Sequence, residues 1–89
     1  MKIGTTYLLT ESVYYVDGIE GLKYLDLWAR FDVDPDRAFG GAEIPADATV
    51  QILAFRRGGY THCVQVQWGS QQLWVTRKQL GLYGKEIPP

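Results

Sequence analysis

The stretch that decides the fold is residues 43–80, which read EIPADATVQILAFRRGGYTHCVQVQWGSQQLWVTRKQL. It holds three runs rich in β-branched and aromatic residues, which suit the pleated surface of a strand. Gly58-Gly59 and Gly69-Ser70 separate these runs, and glycine permits the positive φ that tight hairpin turns require. The pattern therefore predicts three consecutive strands of a small all-β barrel.

The alternation within each run predicts which side chains face the core. Gln65 and Gln67 mark the solvent side of the second run, and the apolar residues between them mark the buried side. Leu80 or Leu82 is expected to plug the barrel in a last short turn. The expected core residues of the three runs are Val50, Ile52, Ala54, Val64, Val66, Trp68, Leu73 and Val75.

Outside this stretch the pattern is less uniform. Thr5–Leu9 and Val13–Val16 are β-branched and aromatic, and they predict a hairpin or two short strands. Lys23–Val33 alternates with a period of two, which favours a strand, although its apolar residues also fit a helical spacing. Residues 84–89 are expected to form a loose tail. The resulting fold prediction is a five- to six-stranded barrel with an N-terminal strand pair.

Length and composition limit which kinds of protein this chain can be. A chain of 89 residues predicts one domain, and 13% aromatic residues favour β structure. The single cysteine, Cys63, cannot form an internal disulfide and favours a reducing compartment. The N-terminus lacks the apolar run of a signal peptide, and no stretch has the length of a membrane span, so a cytoplasmic protein is expected. The net charge of −1 gives no general attraction to nucleic acid or membrane.

The order of these features resembles the bacterial SH3-like (SH3b) family over about residues 24–80. Leu25-Asp26-Leu27-Trp28 stands where the family has its first strand. Ile44–Leu53 matches the family's Ile-Pro-x-Gly-Thr-x-Val-x-Val-Leu run, and Gly58-Gly59-Tyr60 matches its glycine-rich turn. Leu73-Trp74-Val75 stands in place of Gly-Trp-Val, and Leu80 closes the pattern. The resemblance implies an SH3-like barrel, a fold that serves many kinds of binding.

An aromatic and acidic surface is the first candidate site. Trp28 and Trp74 lie opposite the expected core residues, so we expect them to be exposed, and Trp and Tyr are effective anchors for a partner. The predicted partner-binding residues are Trp28, Asp32, Asp34, Asp36, Tyr60 and Trp74. Asp32, Asp34, Asp36 and Glu43 also have the spacing of a calcium loop, but Arg37 stands where such a loop needs glycine. We therefore expect no metal or other cofactor.

A basic surface is the alternative site. The alternative nucleic-acid-binding residues are Arg56, Arg57, Arg77 and Lys78. They would contact phosphates if they converge beside Tyr60 and Trp74, as in proteins that bind single-stranded nucleic acid. His62 and Cys63 are neighbours on a strand, so they point to opposite faces and make a poor catalytic pair. We therefore predict a non-enzymatic module that binds a protein or peptide. Its size suits a small accessory or regulatory protein of a bacterium, phage or mobile element, and an unpaired strand edge would allow a homo-oligomer.

Overall fold

The structure is a computed structural model that describes residues 1–18, 21, 42–57 and 62–88. Within these ranges the chain is built mostly from strands, which confirms the prediction of all-β character. The elements, in chain order, are β1 (Thr6–Leu9), β2 (Val13–Tyr14), β3 (Glu43–Ile44), β4 (Thr49–Arg57), β5 (His62–Trp68), β6 (Gln71–Thr76), α1 (Arg77–Tyr83) and β7 (Gly84–Ile87). No helix in the described part of the chain has the length and apolar character to cross a bilayer.

Five of the strands form one antiparallel sheet in the order β6-β5-β4-β1-β7. The predicted meander of the second half is correct, because β4 pairs with β5 and β5 with β6. Of the two N-terminal alternatives, the two short strands are present and the hairpin is not. β1 pairs with β4 and β7, whereas β2 pairs with β3 in a separate two-stranded sheet. β1 lies between β4 and β7, and both of these partners are more than 40 residues away in the sequence. Local sequence does not reveal such long-range pairing.

The main core lies on one face of the five-stranded sheet. Alternate residues of β5 and β6 supply its centre, as expected from their period of two. Leu80 closes the core from α1 and is completely buried, whereas Leu82 is exposed. Trp68 is only partly buried and packs against the cluster beside Tyr15. The buried members of this cluster are Tyr7, Leu9, Val13, Ile44, Val50, Ile52, Val64, Val66, Leu73, Val75 and Leu80.

A second, smaller cluster lies on the other face of β5 and β6. It consists of Val16, Cys63 and Trp74. Val16 bridges to the outer edge of β6: its amide donates to the Trp74 carbonyl at 3.0 Å, and the Trp74 amide donates to the Val16 carbonyl at 2.8 Å. The expectation that Trp74 is exposed is therefore wrong, since only 7% of its surface is accessible. The segment that follows β2 pairs with β6 there, and Val16 packs beside the indole.

β4 contains an irregularity that moves its far end to the opposite face. Ile52 pairs with Val66, but Ala54 pairs with Gln65, so one extra residue lies between them. Such a bulge reverses which side chains face the core. Phe55 consequently pairs with Val64, a core residue, and Ala54 lies on the side of Gln65. The prediction that Ala54 lies on the core face with Val50 and Ile52 is therefore wrong.

The turns follow local chemistry. Gly69 has φ of 58°, which lets Gly69-Ser70 join Trp68 to its partner Gln71 in a two-residue turn. Asp47 also has a positive φ, and its amide donates to the Leu9 carbonyl at 2.8 Å, which attaches the turn before β4 to β1. These are the positions where the sequence predicts turns.

The C-terminal part of the chain differs from expectation. α1 begins at the N-cap Thr76, whose hydroxyl accepts a hydrogen bond from the Gln79 amide at 3.2 Å. It ends at Gly84, and residues 84–87 pair with β1 as β7, so the predicted loose tail is wrong for these residues. The interpretations of Lys23–Val33, of the loop from Asp32 to Gly41 and of the Gly58-Gly59 turn lie outside the described residues.

Candidate basic pocket

A pocket of about 260 Å³ lies at the end of the sheet where β4 and β5 approach their shared hairpin. We call it the basic pocket, because arginine supplies half of the described residues that line it. The residues around it are Phe55, Arg56, Arg57, His62, Cys63 and Arg77. Three elements contribute to the wall: the end of β4, the beginning of β5 and the first residue of α1.

The register of the sheet brings these residues together. Arg57 pairs directly with His62, and Arg56 pairs with Cys63. Cys63 also pairs with Thr76 on its other side, and Arg77 follows Thr76 at the beginning of α1. Side chains directly opposite in an antiparallel pair have Cβ atoms about 5 Å apart. The pairing brings residues from three separate parts of the sequence to one end of the sheet, and there they line one opening.

Within the described residues, no carboxylate neutralises the charge of the basic pocket. Arg56, Arg57, Arg77 and His62 are all exposed. Among the residues that the structure describes, no carboxylate forms an ion pair with any of the three guanidinium groups. Like charges held close together repel one another, and an incoming anion would relieve that repulsion. The arrangement is suited to binding an anionic group.

Phe55 adds an apolar surface to this basic site. Its side chain is 44% exposed although it lies on the core face of β4, because it is close to the end of the strand. An exposed aromatic ring beside guanidinium groups offers contact area as well as charge. Large aromatic side chains at a pocket rim are frequent anchors for a partner.

The structure separates the residues of the two predicted sites. Of the alternative basic set, it brings Arg56, Arg57 and Arg77 together, whereas Lys78 is exposed but does not line the basic pocket. Of the aromatic and acidic set, Trp74 is buried. The other members of that set, Trp28, Asp32, Asp34, Asp36 and Tyr60, lie outside the described residues. In the part that the structure describes, no three His, Cys, Asp or Glu side chains form a group that could hold a metal ion.

Phe55 is the site residue that sequence reasoning missed. Strict alternation places it on the solvent face of β4, opposite Val50 and Ile52. The bulge between Ile52 and Ala54 moves it to the other face. A weak signal was present, because Leu53, Ala54 and Phe55 are consecutive apolar residues and interrupt the alternation. A break of this kind is what a bulge leaves in a strand sequence.

Comparison of the chain with protein-family models, with curated proteins and with solved structures found no match.

Proposed function

We propose that the chain is a non-enzymatic binding module for a protein or peptide partner, built as a small SH3-like barrel. The single observation that carries the function is the basic pocket, where three exposed arginines surround one opening beside an exposed phenylalanine. It is an open, charged and partly aromatic surface on a rigid sheet, which is the usual form of a site that recognises a partner.

The barrel part of the proposal is supported by the length of α1. This helix joins β6 to β7, and these two strands are the outermost members of the five-stranded sheet. Its seven residues span about 10 Å. In a flat sheet, four spacings between neighbouring strands would put the outer strands about 19 Å apart. A sheet that curls strongly at this end, as in a small barrel, would account for so short a connection.

The SH3-like part is supported by the order of elements. β4, β5 and β6 follow one another as neighbours in the sheet, Gly69-Ser70 forms the predicted turn between β5 and β6, and the buried Leu80 follows in α1. This is the order on which the resemblance to the SH3b family was based.

A peptide fits the charge distribution better than a polynucleotide does. The chain has ten acidic and nine basic residues, so its overall charge does not attract a polyanion. Binding along a phosphate backbone also requires a basic groove that tracks several phosphates, whereas the basic pocket is a single opening. Nucleic acid is the second candidate, because Arg56, Arg57 and Arg77 do converge beside an aromatic ring.

A displayed library of random peptides tests the function. We expect selection on the wild-type protein to enrich peptides that the Arg56→Glu/Arg57→Glu double variant fails to retain. The same two proteins are titrated with a labelled ten-nucleotide thymidine oligomer at low and high salt. Enrichment of no peptide, together with salt-sensitive binding of the oligomer, would replace the peptide proposal with the nucleic-acid one. Folding of the variant is checked by circular dichroism.

A further inference from the structure

We propose that the partner of the basic pocket is an acidic peptide segment, in which one carboxylate enters among the arginines and a neighbouring apolar side chain packs on Phe55. The inference rests on the proposed function and names the chemistry of its ligand. Three features of the basic pocket support it. The cations are guanidinium groups, no carboxylate of the described residues is paired with them, and the ring of Phe55 lies beside them.

The type of cation favours a carboxylate. A guanidinium group is planar and presents its N–H donors in a fixed fork that matches the two oxygens of a carboxylate. Arg56 and Arg57 come from adjacent positions of β4, and Arg77 comes from α1, so the donors approach the opening from more than one direction. One carboxylate can then accept hydrogen bonds from two of them, whereas a neutral amide carries less charge and offers a single acceptor atom.

The electrostatic state of the pocket favours the same ligand. Within residues 1–18, 42–57 and 62–88, no Asp or Glu is paired with the three guanidinium groups. An incoming carboxylate therefore replaces water rather than an internal ion pair, and no existing salt bridge has to break. The nearest ladder partner of Arg57 is His62, whose imidazole also offers a donor and no negative charge.

Phe55 accounts for the apolar part of the ligand. Its ring is 44% exposed at the edge of the basic pocket. A peptide side chain beside the bound carboxylate would cover this ring and bury apolar surface that now faces water. The expected motif is an Asp or Glu next to a large apolar residue, bound in an extended conformation.

The probe is a six-residue peptide of alternating Leu and Glu, acetylated and amidated at its ends and carrying a fluorophore. Its control is the same peptide with Gln in place of Glu. We expect the Glu peptide to bind at least about fivefold more tightly than the Gln peptide, because hydrogen bonds to ionised groups are the stronger ones even when partly exposed. Equal affinity of the two peptides would overturn the proposal.

Two matched variants locate the binding. Arg57→Gln and Lys78→Gln each remove one positive charge from an exposed side chain, but only Arg57 lines the basic pocket. We expect Arg57→Gln to weaken binding of the Glu peptide by about fivefold and Lys78→Gln by less than about twofold. Phe55→Ala is expected to weaken it by about threefold through lost apolar contact. An equal effect of the two charge variants would indicate general electrostatic attraction and contradict the site.

Nuclear magnetic resonance separates the failure of this inference from the failure of the proposed function. Titration of ¹⁵N-labelled protein with the Glu peptide is expected to shift the amide signals of Arg56, Arg57, His62 and Arg77. If the Glu peptide causes no such shifts while peptides from the library still bind elsewhere, the acidic-segment inference is wrong and the binding module stands. If neither kind of peptide binds, both proposals are wrong.

Discussion

Two regions on β5 and β6 show how differently the same strands can be used. At the middle of β6, Trp74 and Val16 exchange two backbone hydrogen bonds, and the Trp74 side chain is 93% buried with Val16 and Cys63. Near the beginning of β5, Arg57 and His62 form a ladder pair whose side chains remain exposed. Cys63 belongs to both regions, since it packs in the small cluster and also lines the basic pocket.

The two regions differ in whether a distant segment of the chain packs over the side chains. A remote segment of the chain, entering after β2, pairs with β6 and brings Val16 beside the indole of Trp74. The residues around the basic pocket keep their exposure because their side chains reach the end of the sheet. Whether an aromatic side chain on the outer face of a strand becomes core or surface is decided by such a covering segment.

The largest expected effect comes from removing the covered indole. Trp74→Ala should lower the free energy of unfolding by about 3 kcal/mol, because it deletes a buried aromatic side chain and leaves a cavity. Urea denaturation followed by circular dichroism measures this loss. Phe55→Ala is the control from the open region and should cost about 1 kcal/mol or less, since much of the ring already faces water. Similar losses for both variants would remove the contrast between the regions.

A methyl group at Gly84 should have the next largest effect. A Cβ there would lie 2.5 Å from the Leu80 carbonyl oxygen and 3.1 Å from the Tyr7 ring, on the covered side of α1. We expect Gly84→Ala to destabilise the protein by about 2 kcal/mol through overpacking.

Gly81→Ala is the matched control for Gly84→Ala. A Cβ at Gly81 meets no atom within 4 Å, and the residue is exposed within α1, three positions before Gly84. Alanine is the better helix former, so Gly81→Ala should raise the free energy of unfolding by about 0.5 kcal/mol. Thermal denaturation of the two variants should give shifts of opposite sign. A downward shift for both would mean that the open side of α1 is also packed.

Gln79 connects α1 to the two-stranded sheet, and its removal should have a moderate effect. Its side-chain oxygen accepts a hydrogen bond from the Tyr14 amide at 3.2 Å, and the side chain is buried. Gln79→Ala should lower the free energy of unfolding by about 1 kcal/mol, because it removes a partly buried hydrogen bond. Hydrogen exchange should show faster exchange at the Tyr14 amide than in the wild type. Unchanged exchange there would mean that the bond does not hold β2.

The smallest effect on folding is expected at the basic pocket. Arg57→Gln should leave the urea midpoint unchanged, because its exposed guanidinium forms no ion pair with any carboxylate in the described residues. The same variant should weaken binding of the acidic peptide, so the two measurements separate function from stability. A clear loss of stability would show that Arg57 supports the fold.

Much of the sheet could be predicted because its signals are local. The alternation of Val64 and Val66 predicted the buried face of β5, and Gly69-Ser70 predicted the turn to β6. The sequence also offered Leu80 or Leu82 as the residue that closes the core, and Leu80 is the buried one. Half of the basic pocket was also foreseen, since Arg56, Arg57 and Arg77 were singled out as residues that would converge near an aromatic side chain.

The identity of that aromatic side chain depended on tertiary structure. Tyr60 and Trp74 were the expected neighbours, but Trp74 is buried by Val16, and the ring at the pocket is Phe55. Two features explain why the aromatic ring at the pocket is Phe55 and not Trp74. They are the pairing between positions 16 and 74 and the one extra residue in β4. Neither cause leaves a strong trace in local composition, because long-range pairing and bulges depend on how whole strands fit together.

The amino-acid sequence by itself determined the strands, the tight turns and most of the core, since these follow from side-chain period and backbone conformational preference over a few residues. Only the tertiary structure decided that β1 lies between β4 and β7, that residues 84–87 form a strand, and that three arginines share one opening with Phe55. Each of these depends on contacts between residues distant in the sequence, and the energy of such contacts exists only once the chain has folded.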